Sequence, residues 1–383
     1  MAHIDIPPMP GLDAVVHALD GNARLVGGVV RDTLAGQATK DVDLATPLLP
    51  EMVIAKLQDA GLKAAPTGLA HGTVTAISDG HPFEVTTLRH DVSTDGRRAT
   101  VTFTADWRED AARRDFTINA LYADPQTGEL FDYFGGQADL EAGIVRFIGD
   151  PRTRIAEDHL RILRFFRFNA RFGKGTPHAE SLEACRERAN DLMALSRERI
   201  AMELLAILTL PDPSDAIALM IDTGIFHPVL PEIDSAAALQ RLVTREAEHG
   251  IVPDALRRLA ALLPADTSLA EDIGNRLKLS NAQRNRLIAA AARSTADAEN
   301  PRALAYRMGL ATAIDRLLLG EGDTAPLSGW TPPKFPLTGG AIVTRGVKAG
   351  PEVARILQAV ERQWVDEGFP DEARTNAIAD SLT

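Results

Sequence analysis

The chain has 383 residues and a net charge of −12, with 45% hydrophobic and 25% charged residues, an ordinary balance for roughly two or three folded units. Its one cysteine, Cys185, excludes a disulfide framework and a Cys-rich zinc site. No apolar run nears the roughly 18 residues of a membrane span, and MAHIDIPPMPG is neither basic nor apolar enough for a secretory signal, so the cytoplasm is the expected compartment. The acidic balance argues against a non-specific nucleic-acid coat.

In chain order, ARLVGG (23–28) reads as a strand ending in glycines, and VVRDTLAG as a short helix closed by Gly36. DVDLAT (41–46) reads as a strand and residues 50–60 as a helix. GTVTAIS (72–78) and FEVTTLR (83–89) alternate around a Gly/His turn and predict a hairpin. HDVSTDGRRAT (90–100) reads as a polar loop, and TGELFDYFGG (127–136) as turn-rich. After about residue 150 the pattern turns helical, over 154–171, 178–194, 196–209, 213–223, 253–263, 283–293, 301–318 and 351–367, with a Pro/Gly-rich linker at 328–340. The outline is an α+β head followed by an all-α remainder.

Four segments carry candidate chemistry. Asp41 and Asp43, at i and i+2 of a strand, project from one face and suit a hard divalent cation such as Mg²⁺; alone, the pair is better explained as a solvated strand end. LVGGVVRD (25–32) places glycine N–H groups, a helix start and Arg31 where a phosphate could sit, although a tight strand–helix turn would look the same. Arg113, Arg114 and Asp115 open RRDFTINALY, which otherwise reads as a charged turn before a buried segment.

The fourth segment runs from Arg146 to Arg171, with seven arginines against Asp150, Glu157 and Asp158. On a continuous helix Arg161, Arg164, Arg171 and Arg167 fall at about 300°, 240°, 220° and 180° from Asp158, a basic arc with little acid beside it. Asp158 and Arg161, at i and i+3, would stand side by side. A carboxylate acceptor beside a guanidinium donor matches the amino and ring-nitrogen edge of cytosine or adenine and opposes uracil or guanine. A plain helical salt bridge is the competing explanation.

Taken together, these segments resemble the bacterial class II tRNA nucleotidyltransferases, the CCA-adding enzymes, and their sister bacterial poly(A) polymerases in the polymerase β superfamily. LVGGVVRD with KDVDLAT resembles motif A, and RRDFTINALYAD resembles motif B. GDPRTRIAEDHLRILRFFRF contains a Glu-Asp-x-x-Arg amino-acid template, and LSRERIAMELLAIL (195–208) is similar to the neck helix. The resemblance covers about residues 23–210 and is looser beyond, through FHPVLPEID and WTPPKFPLTG. LTGGAIVTRG departs from it, lacking the acidic residue expected soon after the glycine.

The resemblance implies a nucleotidyltransferase head with a mixed or antiparallel sheet at 1–148, a base-recognising neck at 149–210, and a tRNA-binding body (211–328) and tail (329–383). It implies Mg²⁺, as a two-metal site, at Asp41 and Asp43, the triphosphate at Gly27, Gly28 and Arg31, and nucleotide contacts from Arg114, with Asp115 near the ribose. Asp158 and Arg161 would read the base, supported by Arg164 and Arg167, and Glu84 would help deprotonate the attacking hydroxyl. The segment 90–100 would assist the change from C to A. The substrates would be CTP, ATP and the acceptor and T arms of tRNA, without a membrane, and the oligomeric state stays open. Poly(A) synthesis, CC-only or A-only addition, and non-catalytic RNA binding are the alternatives.

Overall fold

The computed structural model describes residues 3–39, 41–95 and 98–383, and the side chains of 91–95 and 98–101 are left undescribed. Lys40 of KDVDLAT and the tip of the expected 90–100 loop therefore lie outside the described residues. The chain divides into two compact units, 1–231 and 232–383.

The first unit is built on a seven-stranded mixed sheet of order β3-β4-β5-β2-β1-β8-β9. Its strands are β1 (Arg24–Val26), β2 (Asp43–Thr46), β3 (Lys63–Gly68), β4 (Thr73–Ser78), β5 (His81–Thr87), β8 (Leu121–Ala123) and β9 (Leu130–Asp132). β6 (Arg89–Asp95) and β7 (Arg98–Phe103) pair separately. The expected hairpin is β4–β5, in register from Thr73 opposite Thr86 to Ser78 opposite His81. β2 and β5 run parallel, with Asp43 opposite Glu84.

Alternation sorts the sheet residues onto two faces. Leu25, Leu44, Phe83 and Val85 pack on one core with helices α1 (Leu12–Ala18) and α3 (Pro50–Asp59). Val26, Ala45 and Tyr122 pack on the other with Ala111 of α4 (Trp107–Ala112). Asp43 and Glu84 fall on the second face, at its open end. Helix α2 (Gly28–Leu34) leaves β1 through Gly27, whose φ of 69° is one a side chain rarely adopts.

Several sequence expectations need correction. β2 starts at Asp43, so Asp41 precedes the strand instead of belonging to it. Where a loop is expected at 90–100, the described residues form two antiparallel strands, with His90 opposite Thr102 and Asp95 opposite Arg98, and the Thr and Val content of the segment favours strand. The turn-rich 127–136 holds β9, followed by α5 (Gly136–Ala142). The helix expected over 154–171 is two, α6 (Pro151–Glu157) and α7 (Arg161–Phe172), separated by Asp158 in extended conformation at φ −154°, ψ 106°. There the Asp158 carboxylate accepts the Leu160 N–H at 3.1 Å. That is the competition with helical bonding that makes Asp a cap residue. The 178–194 segment is α8 (Ala179–Glu187) plus a 3₁₀ turn, and α9 (Arg197–Leu208) and α10 (Ser214–Asp222) complete the unit.

The second unit is helical: α11 (Ala237–Glu248), α12 (Ala255–Ala261), α13 (Thr267–Arg276), α14 (Asn281–Ala291), α15 (Pro301–Met308), α16 (Leu310–Leu319), α17 (Gly339–Val343), α18 (Pro351–Asp366) and α19 (Glu372–Leu382). The helix expected over 301–318 breaks at Gly309, where φ is 84°. Sequence patterning missed α11, α13 and α19, whose apolar positions are diluted by charge and alanine. A buried ion network ties α11, α12 and α16 together. Glu246 accepts from Arg257 and from Arg258 (2.8 Å), and Asp315 accepts from Arg257 (2.9 Å). Trp364 is buried and donates to the Pro370 carbonyl, and Trp107 and Trp330 pack on neighbouring rings, so all three are packing residues. Among the described residues no helix is long and apolar enough to cross a membrane.

Phenylalanines lock α7 to the head. Phe116 meets Phe147, Phe165 and Phe168 with ring centroids 4.8, 6.4 and 5.4 Å away. Phe116 is fully buried, so Phe116→Ala is expected to cost about 3–5 kcal/mol in urea unfolding. A loss under about 1 kcal/mol would show that α7 is not held this way.

Candidate active site

Two cavities meet at Asp43. The first, about 370 Å³, is lined by Gly27, Gly28, Arg31, Asp43, Arg113, Arg114, Asp115, Asn119, Asp158, Arg161, Arg164 and Phe168, a size suited to a small-molecule ligand. The second, about 830 Å³, is lined by Pro7 to Pro10, residues 36–39, Asp41, Val42, Asp43, Thr75 and His81 to Glu84. Asp43 is the one residue that the two linings share.

The first cavity gathers almost every residue singled out in the sequence. Arg31 is buried under it. Its Nε and Nη2 donate to Asp32 at 2.8 and 2.7 Å, and its Nη1 donates to Asn119. Burial lowers the Arg31 pKa despite the neighbouring Asp32. Asn119 was not marked by the sequence, yet it links Arg31 to Asp115, donating to the Asp115 carboxylate at 2.9 Å. Asp115 also accepts from Arg164 Nε at 2.7 Å. Burial works to raise the Asp115 pKa, but the Arg164 charge and the Asn119 hydrogen bond outweigh it and hold the group below its ordinary value.

Arg113 and Arg114 are positioned by Asp110, a residue the sequence reading passed over. Asp110 accepts from Arg113 Nε at 2.8 Å, from Arg114 Nη2 at 3.1 Å, from the Tyr122 hydroxyl at 2.7 Å and from the Arg89 backbone N–H at 3.2 Å. Its spacing was a usable signal, since Asp110 lies one helical turn before both arginines.

The basic arc on α7 is more fully neutralised than its own sequence suggests. Arg161 pairs with Glu157, Arg164 with Asp115 and Glu203, Arg167 with Glu203 at 2.7 Å, and Arg171 with Asp32 at 2.9 Å. Apart from Glu157, these acids arrive from other elements. The expectation of arginines with little acid beside them is thus corrected. Phe168, which interrupts the arc, carries the guanidinium groups of Arg31, Arg164 and Arg167 over its ring at 5.0, 5.2 and 4.8 Å. Arg167 lies outside the cavity lining.

The break between α6 and α7 changes how Asp158 and Arg161 stand. They do not form an ion pair with each other among the described residues. Asp158 Oδ2 accepts from Arg199 of α9 at 2.7 Å, while Arg161 is held by Glu157 and by the carbonyls of Arg154 (2.9 Å) and Arg113 (3.1 Å). The plain helical salt bridge is therefore excluded. Each group is fixed from behind by another residue, and each lines the cavity.

The carboxylates at the junction suit Mg²⁺. The Asp43 pKa is raised, first by burial, then by the charges of Glu84 and Asp41, the repulsion a divalent cation would relieve. No group of three or more His, Cys, Asp or Glu side chains among the described residues converges on a metal position. Glu84 sits beside Asp43 on the neighbouring strand and is exposed.

Asp110 gives a stability test. Burial works to raise its pKa, but Arg114, Arg113 and the Tyr122 hydroxyl hold it at about 2. A depressed carboxyl stabilises the fold above its unfolded pKa of 3.8 and loses that contribution as pH falls towards about 2. Asp110→Asn should cost about 2 kcal/mol at pH 7, with the gap to wild type closing between about pH 4 and 2 in urea unfolding. A gap that does not change with pH would contradict the assignment.

Residues 23–146 match the poly A polymerase head domain, and residues 176–237 match a probable RNA and SrmB-binding site of polymerase A. The mitochondrial CCA tRNA nucleotidyltransferase 1 of Mus musculus is 38% identical over 372 residues, covering 90% of this chain and 83% of the relative. A CCA-adding enzyme of Levilactobacillus brevis is 31% identical over 375 residues, covering 91% of each. The Bacillus stearothermophilus CCA-adding enzyme, solved in complex with CTP, superposes with a TM-score of 0.72 at 27% identity, over 92% of this chain and 91% of that one. With its head fold, its arginine-lined cavity and full-length relatives of this identity, the chain belongs to the CCA tRNA nucleotidyltransferase family.

Proposed function

We propose that the protein adds C, C and A to the 3′ end of tRNA from CTP and ATP, with no nucleic-acid template. The observation that carries this reading is the placement of Asp158 and Arg161. A carboxylate acceptor and a guanidinium donor line one cavity, each anchored by a partner other than the other. Their free hydrogen-bonding capacity faces a donor–acceptor edge of the kind cytosine and adenine present.

The chemistry is in-line nucleotidyl transfer. The tRNA 3′ hydroxyl attacks the α-phosphorus, a new phosphodiester bond forms, the α–β phosphoanhydride bond breaks, and pyrophosphate leaves. Gly27, Gly28, Arg31 and Arg114 would hold the triphosphate, and Asp115 would stand near the ribose. Asp43 sits where the two cavities join. The nucleotide would occupy the arginine side and the tRNA end would approach from the side of Asp41 and Glu84, which places nucleophile and leaving group on opposite sides. Asp41 and Asp43 would hold Mg²⁺ as a two-ion site. When bound, it would lower the hydroxyl pKa and stabilise developing charge. Glu84 would accept the hydroxyl proton. Arg164 and Arg167 would support the nucleotide from α7 through Asp115, Glu203 and the Phe168 ring.

In this division of labour, 1–148 catalyses, 149–210 selects the nucleotide, and 211–328 and 329–383 grip the tRNA by shape and phosphate contacts. The β6–β7 hairpin would assist the change from C to A. The cytoplasm is the proposed compartment, although the mouse relative is mitochondrial.

The test uses tRNA lacking its terminal CCA, with products sized to one nucleotide. Two additions with CTP alone, three with CTP and ATP, and none with UTP or GTP are expected. Long A ladders would reassign the protein to poly(A) synthesis, and two additions that never become three would make it CC-only. Asp43→Ala should lower incorporation at least about 1,000-fold while tRNA still binds. Survival of incorporation would refute the carboxylate assignment.

A further inference from the structure

The second unit carries an arginine cluster that the reaction does not use. Arg241 and Arg245 are one turn apart on α11 and project from one face. Arg293, two residues beyond α14, joins them around a cavity of about 30 Å³ whose apolar walls include Leu242, Ala261 and Leu318. Such a space holds one or two small polar atoms and excludes a base or a sugar.

Arg293 is the informative member. Its Nη2 donates to the Leu263 carbonyl at 3.0 Å, while its Nη1 is buried without a hydrogen-bond partner. Among the described residues no carboxylate pairs with it, and burial is what lowers its pKa. The contrast within the same unit is sharp. Arg257, Arg258, Arg286 and Arg316 are all neutralised, by Glu246, Asp315 and Asp297. Arg245 spends its two terminal nitrogens on the carbonyls of Leu318 and Gly322 and has no acid partner among the described residues. Glu321 is the one acid in the lining, 3.5 Å from Arg241, and both side chains are mostly exposed. An acidic protein that leaves a half-buried guanidinium uncompensated beside two more has built a site for an anion.

We propose that this cavity receives a backbone phosphate of tRNA, with a non-bridging oxygen accepting from Arg293 Nη1 and Arg241 closing over the phosphate from the rim. The proposal rests on the reading that the protein works on tRNA. The ligand is a phosphodiester of RNA, read for its charge and shape and not for sequence.

The test uses the full-length protein and tRNA lacking CCA. Binding is measured across a salt series for wild type, Arg241→Gln, Arg293→Gln and Lys63→Gln. Lys63→Gln is a control that removes an exposed cation from β3 of the other unit. Arg241→Gln and Arg293→Gln should each weaken binding about 3- to 10-fold. Each should also reduce the slope of log K against log salt by about 0.7–0.9, the loss of one phosphate contact. In steady-state assays the KM for tRNA should rise while the KM for CTP holds. Arg241 is exposed, so its variant keeps the test valid if Arg293→Gln lowers the melting temperature. Wild-type slopes in both variants would overturn the proposal, as would an equal loss in Lys63→Gln, which would mean general charge alone. Thermal stabilisation by inorganic phosphate that disappears in Arg293→Gln, with tRNA binding unchanged, would assign the cavity to free phosphate and also overturn it. If wild type binds tRNA with these slopes but extends it with no nucleotide, the proposed function fails and the phosphate site stands.

Discussion

The ion pair between Asp158 and Arg199 is the constraint from which the rest of the pocket follows. It ties to α9 the same carboxylate that caps the Leu160 N–H, at the extended residue that separates α6 from α7. Without that break, Asp158 would lie beside Arg161 and the two would neutralise each other. With it, the carboxylate is tied to α9 and the guanidinium to Glu157 and two carbonyls. Both groups lose orientational freedom before any ligand arrives, which lowers the entropy cost of recognition. The long carboxylate–guanidinium reach that would let a mismatched base find an alternative partner is removed.

The same economy governs charge. Five arginines line this cavity together with three carboxylates, Asp43, Asp115 and Asp158. Arg113 and Arg114 are anchored on Asp110, and Arg164 on Asp115. Arginine tolerates this because its planar fork offers five donors, so one edge can be fixed while another faces the ligand. Lysine in these positions would lose its one point of charge to the anchoring acid. The acidic total of the chain and an arginine-lined pocket are thus compatible, because each arginine of the pocket is anchored by an acid.

Much of this was legible in the sequence, for identifiable reasons. Gly27, Gly28, Arg31, Asp43, Arg114, Asp115, Asp158, Arg161 and Arg164 were all marked, and all line one cavity. The α+β head and helical remainder followed from the switch between period-2 and helical patterning. What stayed hidden was of two kinds. Partners that arrive from other elements, such as Arg199, Glu203 and Asn119, have no local spacing to reveal them. Local geometry that overrides a helical pattern, as at Asp158 and Gly309, depends on a single capping or left-handed residue inside an otherwise amphipathic run. The pairing of β6 with β7 was missed because a run rich in Asp, Ser, Thr and Gly resembles a loop in sequence.

Selection of the nucleotide by fixed protein side chains is tested most directly by kcat/KM for CTP and UTP on tRNA lacking CCA, compared between wild type and Asp158→Asn. The preference for CTP should fall by about 10- to 100-fold, the worth of a hydrogen bond to a charged group. The residual turnover of the variant should still require Asp43. An unchanged CTP-to-UTP ratio in a folded Asp158→Asn protein would contradict this mode of selection.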